Sequence, residues 1–243
     1  MASYHVSIKS GKRGKAAKHA AYIARVGKLG KDADATDLVV TDHGNLPSWT
    51  QGNPDTFWQA ADQNERVNGA AYRELEIALP AELSEQQRLH LVKDIITLEI
   101  GDKPFQYAIH RPVAALGRVD QPHVHIMFSD RRPDGIERGP QQHFKRFNAR
   151  NPELGGCKKD SGGKSPSALK SEVLTRREHC ANLQNAYLEQ HGHAARVDHR
   201  SHQERGIERK AERHLGPIGI KKMSAEDKRR FRGQRQGSQR PAA

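Results

Sequence analysis

Cysteine is nearly absent, with only Cys157 and Cys180 in 243 residues. Two such isolated positions build neither a disulfide framework nor a CxxC metal pattern, so a stapled secreted fold is excluded. Long apolar runs are missing too. No stretch approaches the roughly 20 apolar residues of a membrane span, and the N-terminal MASYHVSIKSGKRGK has no apolar signal core. A cytoplasmic chain without a membrane span is therefore expected. Acidic charge is in deficit: 41 Lys and Arg face 29 Asp and Glu, a net charge of +12. That excess points to a polyanionic partner, with a merely solubilising charge as the plainer alternative.

What is there alternates between two periodicities. Tyr4–Lys9, Ala71–Pro80, Phe105–Arg111 and Pro122–Asp130 alternate apolar and polar residues, as half-buried strands do. The alanine-rich run from Ala16 to about Val26 predicts a helix, and Gly27–Gly52 predicts a loop. Asn53-Pro54 opens a second helix whose buried face is Phe57, Trp58 and Ala61. Ser84 and Gln87 form a capping box at the head of a helix that Gly101 closes. A short helix near Gln141–Asn148 and a mobile glycine- and lysine-rich loop precede a long helix from Ser165-Pro166 to about His191. A short strand at Ala195–His199 is the last element expected. The chain beyond Glu204 is polar, so residues 1–205 are expected to form one domain, with 206–243 a basic, disordered tail.

Side chains in a strand alternate between faces. Val6 and Ile8, Leu75, Ile77 and Leu79, Tyr107 and Ile109, and Val124, Ile126 and Phe128 then share one face. The opposite face collects His5, Glu74, Glu76, His110, His123 and His125. The fold class is α+β, a central antiparallel sheet flanked by helices with one functional face. A single histidine on such a face is ordinarily just solvated. His123-Val-His125 differs, because i, i+2 spacing aims two imidazoles at one point, and His110 ends the preceding strand. Three imidazoles converging on an open face make a metal site with free coordination positions; the alternative is scatter among 14 histidines.

At these residues the sequence resembles the MobA/MobL family of plasmid mobilisation relaxases. The matching stretches are YHVSIKSGKRG, AAYIARVGK and NERVNGAAYRELEIALP, then YAIH, PHVHIMFSDRRPDGIERG, HFKRFN and AARVDHRSHQERG. They run in the family's order across most of residues 1–205. The connector RPVAALGRVDQ, between His110 and His123, departs from the pattern in length. The resemblance implies the relaxase/rolling-circle Rep-like palm with a histidine–hydrophobe–histidine metal motif, which the strand parity supports independently. It also implies a nucleophile at Tyr22, with Tyr72 on the acidic face as the rival.

Such an enzyme nicks one strand at the nic site of an origin of transfer. The phenolate attacks the scissile phosphate, leaving a 5′-phosphotyrosyl link and a free 3′-hydroxyl, and reversal rejoins the strand. A phenol with a pKa near 10 needs help at neutral pH; Glu74 or Glu76 would take the proton or orient a histidine. Mg or Mn is the implied ion, with Zn fitting three imidazoles as well. Single-stranded and origin DNA, accessory mobilisation proteins and a type IV secretion coupling protein are the implied partners. Lys12, Arg13 and Lys15, then Arg131, Arg132, Arg138, Lys145 and Arg146, are the candidate phosphate contacts. Trp49 and Phe147 are candidates for base stacking, and Trp58 belongs more naturally to the core. Three other readings remain: a metallonuclease that activates water, a basic DNA-binding accessory protein, and a rolling-circle initiator. The tyrosine's position ahead of the histidine motif separates the last from a relaxase.

Overall fold

The computed structural model describes residues 4–27, 35–114, 119–208 and 217–237. They fall into two compact units: Met1–Arg111 with Pro122–His199, and Pro112–Gln121 with Arg200–Ala243.

The larger unit is built on five antiparallel strands, β1 (Val6–Lys12), β2 (Leu38–Gly44), β3 (Ala70–Ala78), β4 (Phe105–His110) and β5 (His123–Phe128). Their order across the sheet is β1-β3-β5-β4-β2, so the His-Val-His strand is central. The register confirms the expected alternation. Leu75, Ile77, Tyr107, Ile109, Val124, Ile126 and Phe128 enter one core. Covering them are α3 (Glu85–Glu99) and α5 (Pro166–Gln190), which contribute Leu91, Val92, Ile95, Cys180 and Leu188. The Ser84–Gln87 capping box and the Ser165 cap are both formed.

The opposite face is not open along its length. Helices α1 (Ala16–Ile23) and α2 (Pro54–Asn64) cover it. Ala16, Ala20, Ile23, Phe57 and Trp58 pack there on Tyr72, Ala108 and Met127. Alanines let α1 lie close to the sheet. Gly11 does the same for Tyr72, since a Cβ there would lie 1.8 Å from the ring. No side chain of its own caps α1. Instead the Asp62 carboxylate of α2 accepts from the N–H groups of Gly14, Ala16 and Ala17 at 2.7, 2.9 and 2.9 Å. That contact fills otherwise orphaned donors and places a negative charge at the helix N-terminus.

Four further sequence expectations for the larger unit change. Gly27–Gly52 contains the edge strand β2, whose mostly exposed residues show no alternation. Ala195–His199 is not a strand: the Asn185 side chain takes the Arg196 and Val197 N–H groups at 3.0 and 2.8 Å and donates to the Val197 carbonyl at 2.8 Å. These bonds replace a ladder. The helix near Gln141–Asn148 is only α4 (Pro140–His143). The loop after it is fastened rather than free, by Lys159–Glu65 and Lys103–Asp160 ion pairs at 3.2 and 3.0 Å.

In the smaller unit, Val113 bridges Asp120, and the tail is helical at α6 (Pro217–Lys222) and α7 (Ala225–Gly237). From composition, residues 206–243 are expected to form a disordered tail. Ser224 nevertheless caps α7, its hydroxyl oxygen accepting from the Asp227 N–H at 3.0 Å, ahead of residues with good helix propensity. Among the described residues, no helix is long and apolar enough to cross a membrane.

Candidate metal centre and nucleophile

Register brings the three histidines together. His110 at the end of β4 lies opposite His123 at the start of β5, and His125 follows on the same face. Their ring centroids are 5.4, 5.2 and 5.1 Å apart. One nitrogen from each lies within 4.8 Å of the others. His110 is fully buried, and the other two are half-buried.

Outer hydrogen bonds set which nitrogen faces the cluster. His110 Nε2 lies 2.7 Å from the Ile23 carbonyl, an acceptor, so Nε2 carries the proton and Nδ1 the lone pair. The Arg25 guanidinium, 3.4 Å from Nδ1, requires the same tautomer and would have to give up that contact for Nδ1 to hold a metal. Burial, with the nearby Arg25 charge and the other histidines adding to it, pushes His110 down to about 4, so it is neutral at pH 7. His125 Nδ1 sits 2.8 Å from Glu74 Oε1 and is the donor there, so Nε2 is the nitrogen His125 could offer to a metal. Neutral imidazoles with outer partners fixing their orientation are the chemistry of a divalent metal site.

Glu74 is 2% exposed. Burial works against its charge, but hydrogen bonds from His125 and from His19 outweigh that and hold it well below the carboxylate range. Glu76 shows a weaker version of the same balance. Burial raises it, while the hydrogen bond from Lys9 and the neighbouring His125 bring it below its usual value. Glu76 pairs with Lys9 and lies opposite His125 in the register.

Tyr22 stands on the last turn of α1, next to the Ile23 carbonyl that holds His110. It is 43% exposed, and the Arg25 guanidinium lies 5.1 Å from its ring. Arg25 adopts a left-handed backbone, φ 56°, and is held by a two-point ion pair with Asp37 at 3.0 and 2.9 Å. Tyr72 is different. It is 8% exposed, and burial, then the charges of Glu74 and Asp62, push it up to about 12. Burial and a raised pKa both count against Tyr72 as a nucleophile.

The basic residues divide into two groups. Lys12, Lys15, Arg132, Lys145 and Arg146 are exposed. Arg131 is 2% exposed and pairs with Glu65 while donating to the carbonyls of Phe144, Lys145 and Cys157. It is a structural arginine, not a phosphate contact. Arg138 is likewise buried against Asp134. Arg13 is exposed, yet its guanidinium is occupied by the carbonyls of Asp62 and Gln63 at 2.9 and 2.6 Å. Trp58 is core, as expected, donating to Gln106 at 2.9 Å. Parity reasoning missed His19, Arg25 and Asp37. The only available cue was that residues 19, 22 and 25 recur every three positions and so share one stripe of a helix.

The MobA/MobL family model matches residues 27–226, a span that begins after α1 and therefore after Tyr22. The chain is 46% identical over 210 residues to the "43 kDa relaxation protein" of Salmonella typhimurium, covering 86% of this chain and 56% of that protein. It is 39% identical over 220 residues to "Mobilization protein A" of Escherichia coli, covering 89% of this chain and 30% of that one. "Mobilization protein MobL" of Acidithiobacillus ferridurans is 31% identical over 214 residues, or 76% of this chain and 52% of that protein. The chain thus spans about half or less of the length of these relatives. A solved structure described as "Molecular Basis of Vancomycin Resistance Transfer in Staphylococcus aureus" superposes with a TM-score of 0.59 at 20% identity, over 82% of this chain and 100% of that one. At that identity it speaks for the fold alone.

Proposed function

The chain belongs to the MobA/MobL family, and from that premise we propose that it is a relaxase, nicking and rejoining one DNA strand at the nic site of an origin of transfer. The observation that carries this reading is the attachment of the Tyr22 helix to the histidine cluster through the Ile23 carbonyl, 2.7 Å from His110. An exposed phenol on the helix that packs over the histidine face suits transesterification better than hydrolysis by an activated water. The names of the relatives as relaxation and mobilisation proteins support the same reading.

In this account the Tyr22 oxygen attacks the scissile phosphorus. The bond to the 3′-oxygen breaks, the DNA 5′ end is left on the phenol, and the departing 3′-oxygen takes up a proton from water to become the hydroxyl. The phosphodiester energy is kept in the phosphotyrosyl link, so the reverse attack reseals the strand. Glu74, with two N–H donors on one oxygen, is assigned to orienting His125. Glu76, the more accessible carboxylate at 25% side-chain exposure, is assigned to accepting the phenol's proton. His110, His123 and His125 would hold Mg or Mn, or Zn, which when bound neutralises a non-bridging phosphoryl oxygen. Lys12, Lys15, Arg132, Lys145 and Arg146 would contact the strand, and nicking is assigned to residues 1–205. Accessory mobilisation proteins and a type IV secretion coupling protein complete the proposed cytoplasmic assembly.

The test uses labelled single-stranded oligonucleotides tiling the DNA that flanks the coding sequence, with Mn²⁺, analysed on denaturing gels. A protein–DNA adduct is expected from the parent chain and none from Tyr22→Phe. Cleavage without an adduct, retained in Tyr22→Phe, would establish the water-activating nuclease instead.

A further inference from the structure

His19 has no part in the chemistry assigned so far, yet three features of the site meet on it. Its Nε2 lies 2.8 Å from Glu74 Oε1, the same oxygen that His125 Nδ1 approaches at 2.8 Å. Its ring is parallel to that of Tyr72, with centroids 5.1 Å apart and planes at 13°. On the same helix, its ring is also near-parallel to that of Tyr22, at 6.4 Å and 23°. A histidine placed only to fill a core would be enclosed. This one keeps 24% of its side chain exposed, with the buried Tyr72 as one stacking partner and the exposed Tyr22 as the other.

We propose that His19 is the positioning residue for the Tyr22 phenol, tying the nucleophile helix to the metal-bearing sheet through one oxygen of Glu74. The inference rests on the relaxase reading and deepens it. Glu74 is carried by β3, a central strand with partners on both sides, and reaches His125 on the neighbouring strand β5. Its carboxylate is therefore fixed independently of α1. A donor from α1 to that oxygen fixes the rotation and depth of the helix relative to the histidine triad. The imidazole that donates it also provides a flat surface beside the Tyr22 ring. Arg25, three residues beyond Tyr22 and anchored by Asp37, also approaches the ring, 5.1 Å from its centroid. A phenol flanked by two anchored groups loses little freedom on reaching the attacking geometry, which is where positioning contributes to rate.

Two variants of the full chain separate the hydrogen bond from the ring. His19→Phe keeps a flat ring for stacking and loses the donor to Glu74. His19→Gln loses the ring and keeps an N–H at comparable reach. With the parent chain's best oligonucleotide, His19→Phe is expected to lower the adduct-forming kcat between about ten- and a hundred-fold with KM little changed. His19→Gln should recover a substantial part of that loss. Mn²⁺ affinity by calorimetry should stay close to that of the parent in both, because Glu74 still holds His125. Full activity in His19→Phe, a loss confined to KM, or no recovery in folded His19→Gln would overturn the inference while leaving the relaxase reading intact. If the parent chain itself forms no adduct on any tiled oligonucleotide, the reading falls and this inference with it.

Discussion

Single residues carry the site, and their legibility varied with how far away their partners lie in the chain. His110, His123 and His125 were readable because strand parity is a local rule and the two strands pair with each other. Glu74 and Glu76 were readable as a pair, but their division of labour was not: it depends on His19, 55 residues from Glu74, and on Lys9, from another strand. Arg131 was misread for the same reason. Its partner Glu65 lies 66 residues away, and nothing in RRPDG distinguishes a guanidinium facing a buried carboxylate from one facing solvent. The assigned role of Glu74 has a direct test. Glu74→Gln removes the charge that orients His125 and should weaken Mn²⁺ binding about ten- to a hundred-fold by calorimetry. An unchanged affinity would mean that Glu74 does not orient the triad.

Among the elements, four of the five expected strands and the four principal helices were visible through their caps and periodicities, while β2 and the helices of the tail were not. The edge strand β2 has apolar residues that are at most half-buried, and an irregularity between Leu38 and Val40 sends these two to different cores, so no alternation shows. The attachment of α1 is a tertiary fact: the helix begins with Ala16-Ala17 and borrows its cap from Asp62 of α2. The sequence therefore showed a helix without showing what holds it over the sheet. Asp62→Ala should cost about 1–2 kcal/mol of stability, as loss of a cap does, measured by urea unfolding. Because α1 carries both His19 and Tyr22, adduct formation should also slow in this variant under conditions where it remains folded. Wild-type stability in Asp62→Ala would show that the three N–H contacts are dispensable.

For the whole larger unit, burial of neutral histidines makes stability depend on pH. His143 is pushed down to about 4, chiefly by burial and further by the charges of Arg131 and Arg138, while an unfolded histidine titrates near 6.5. Between those values the unfolded chain binds a proton that the folded chain does not. Stability therefore falls as pH drops below about 6.5 and levels off near the folded value. His110 adds a contribution of the same sign. Replacing His143 with Phe should make urea midpoints less dependent on pH between about 5 and about 7, by removing one of the two groups. An unaltered pH slope would mean that His143 is not buried in its neutral form.

The central claim, that the Tyr22 phenol becomes covalently joined to DNA, is tested most directly by digesting the adduct with trypsin and sequencing the peptide that carries the nucleotide. Cleavage after Lys18 and Arg25 gives the peptide His19–Arg25, in which Tyr22 is the sole tyrosine. The nucleotide is expected on that peptide, at Tyr22. Finding it on the peptide that contains Tyr72, or finding cleaved DNA with no peptide attached, would contradict it.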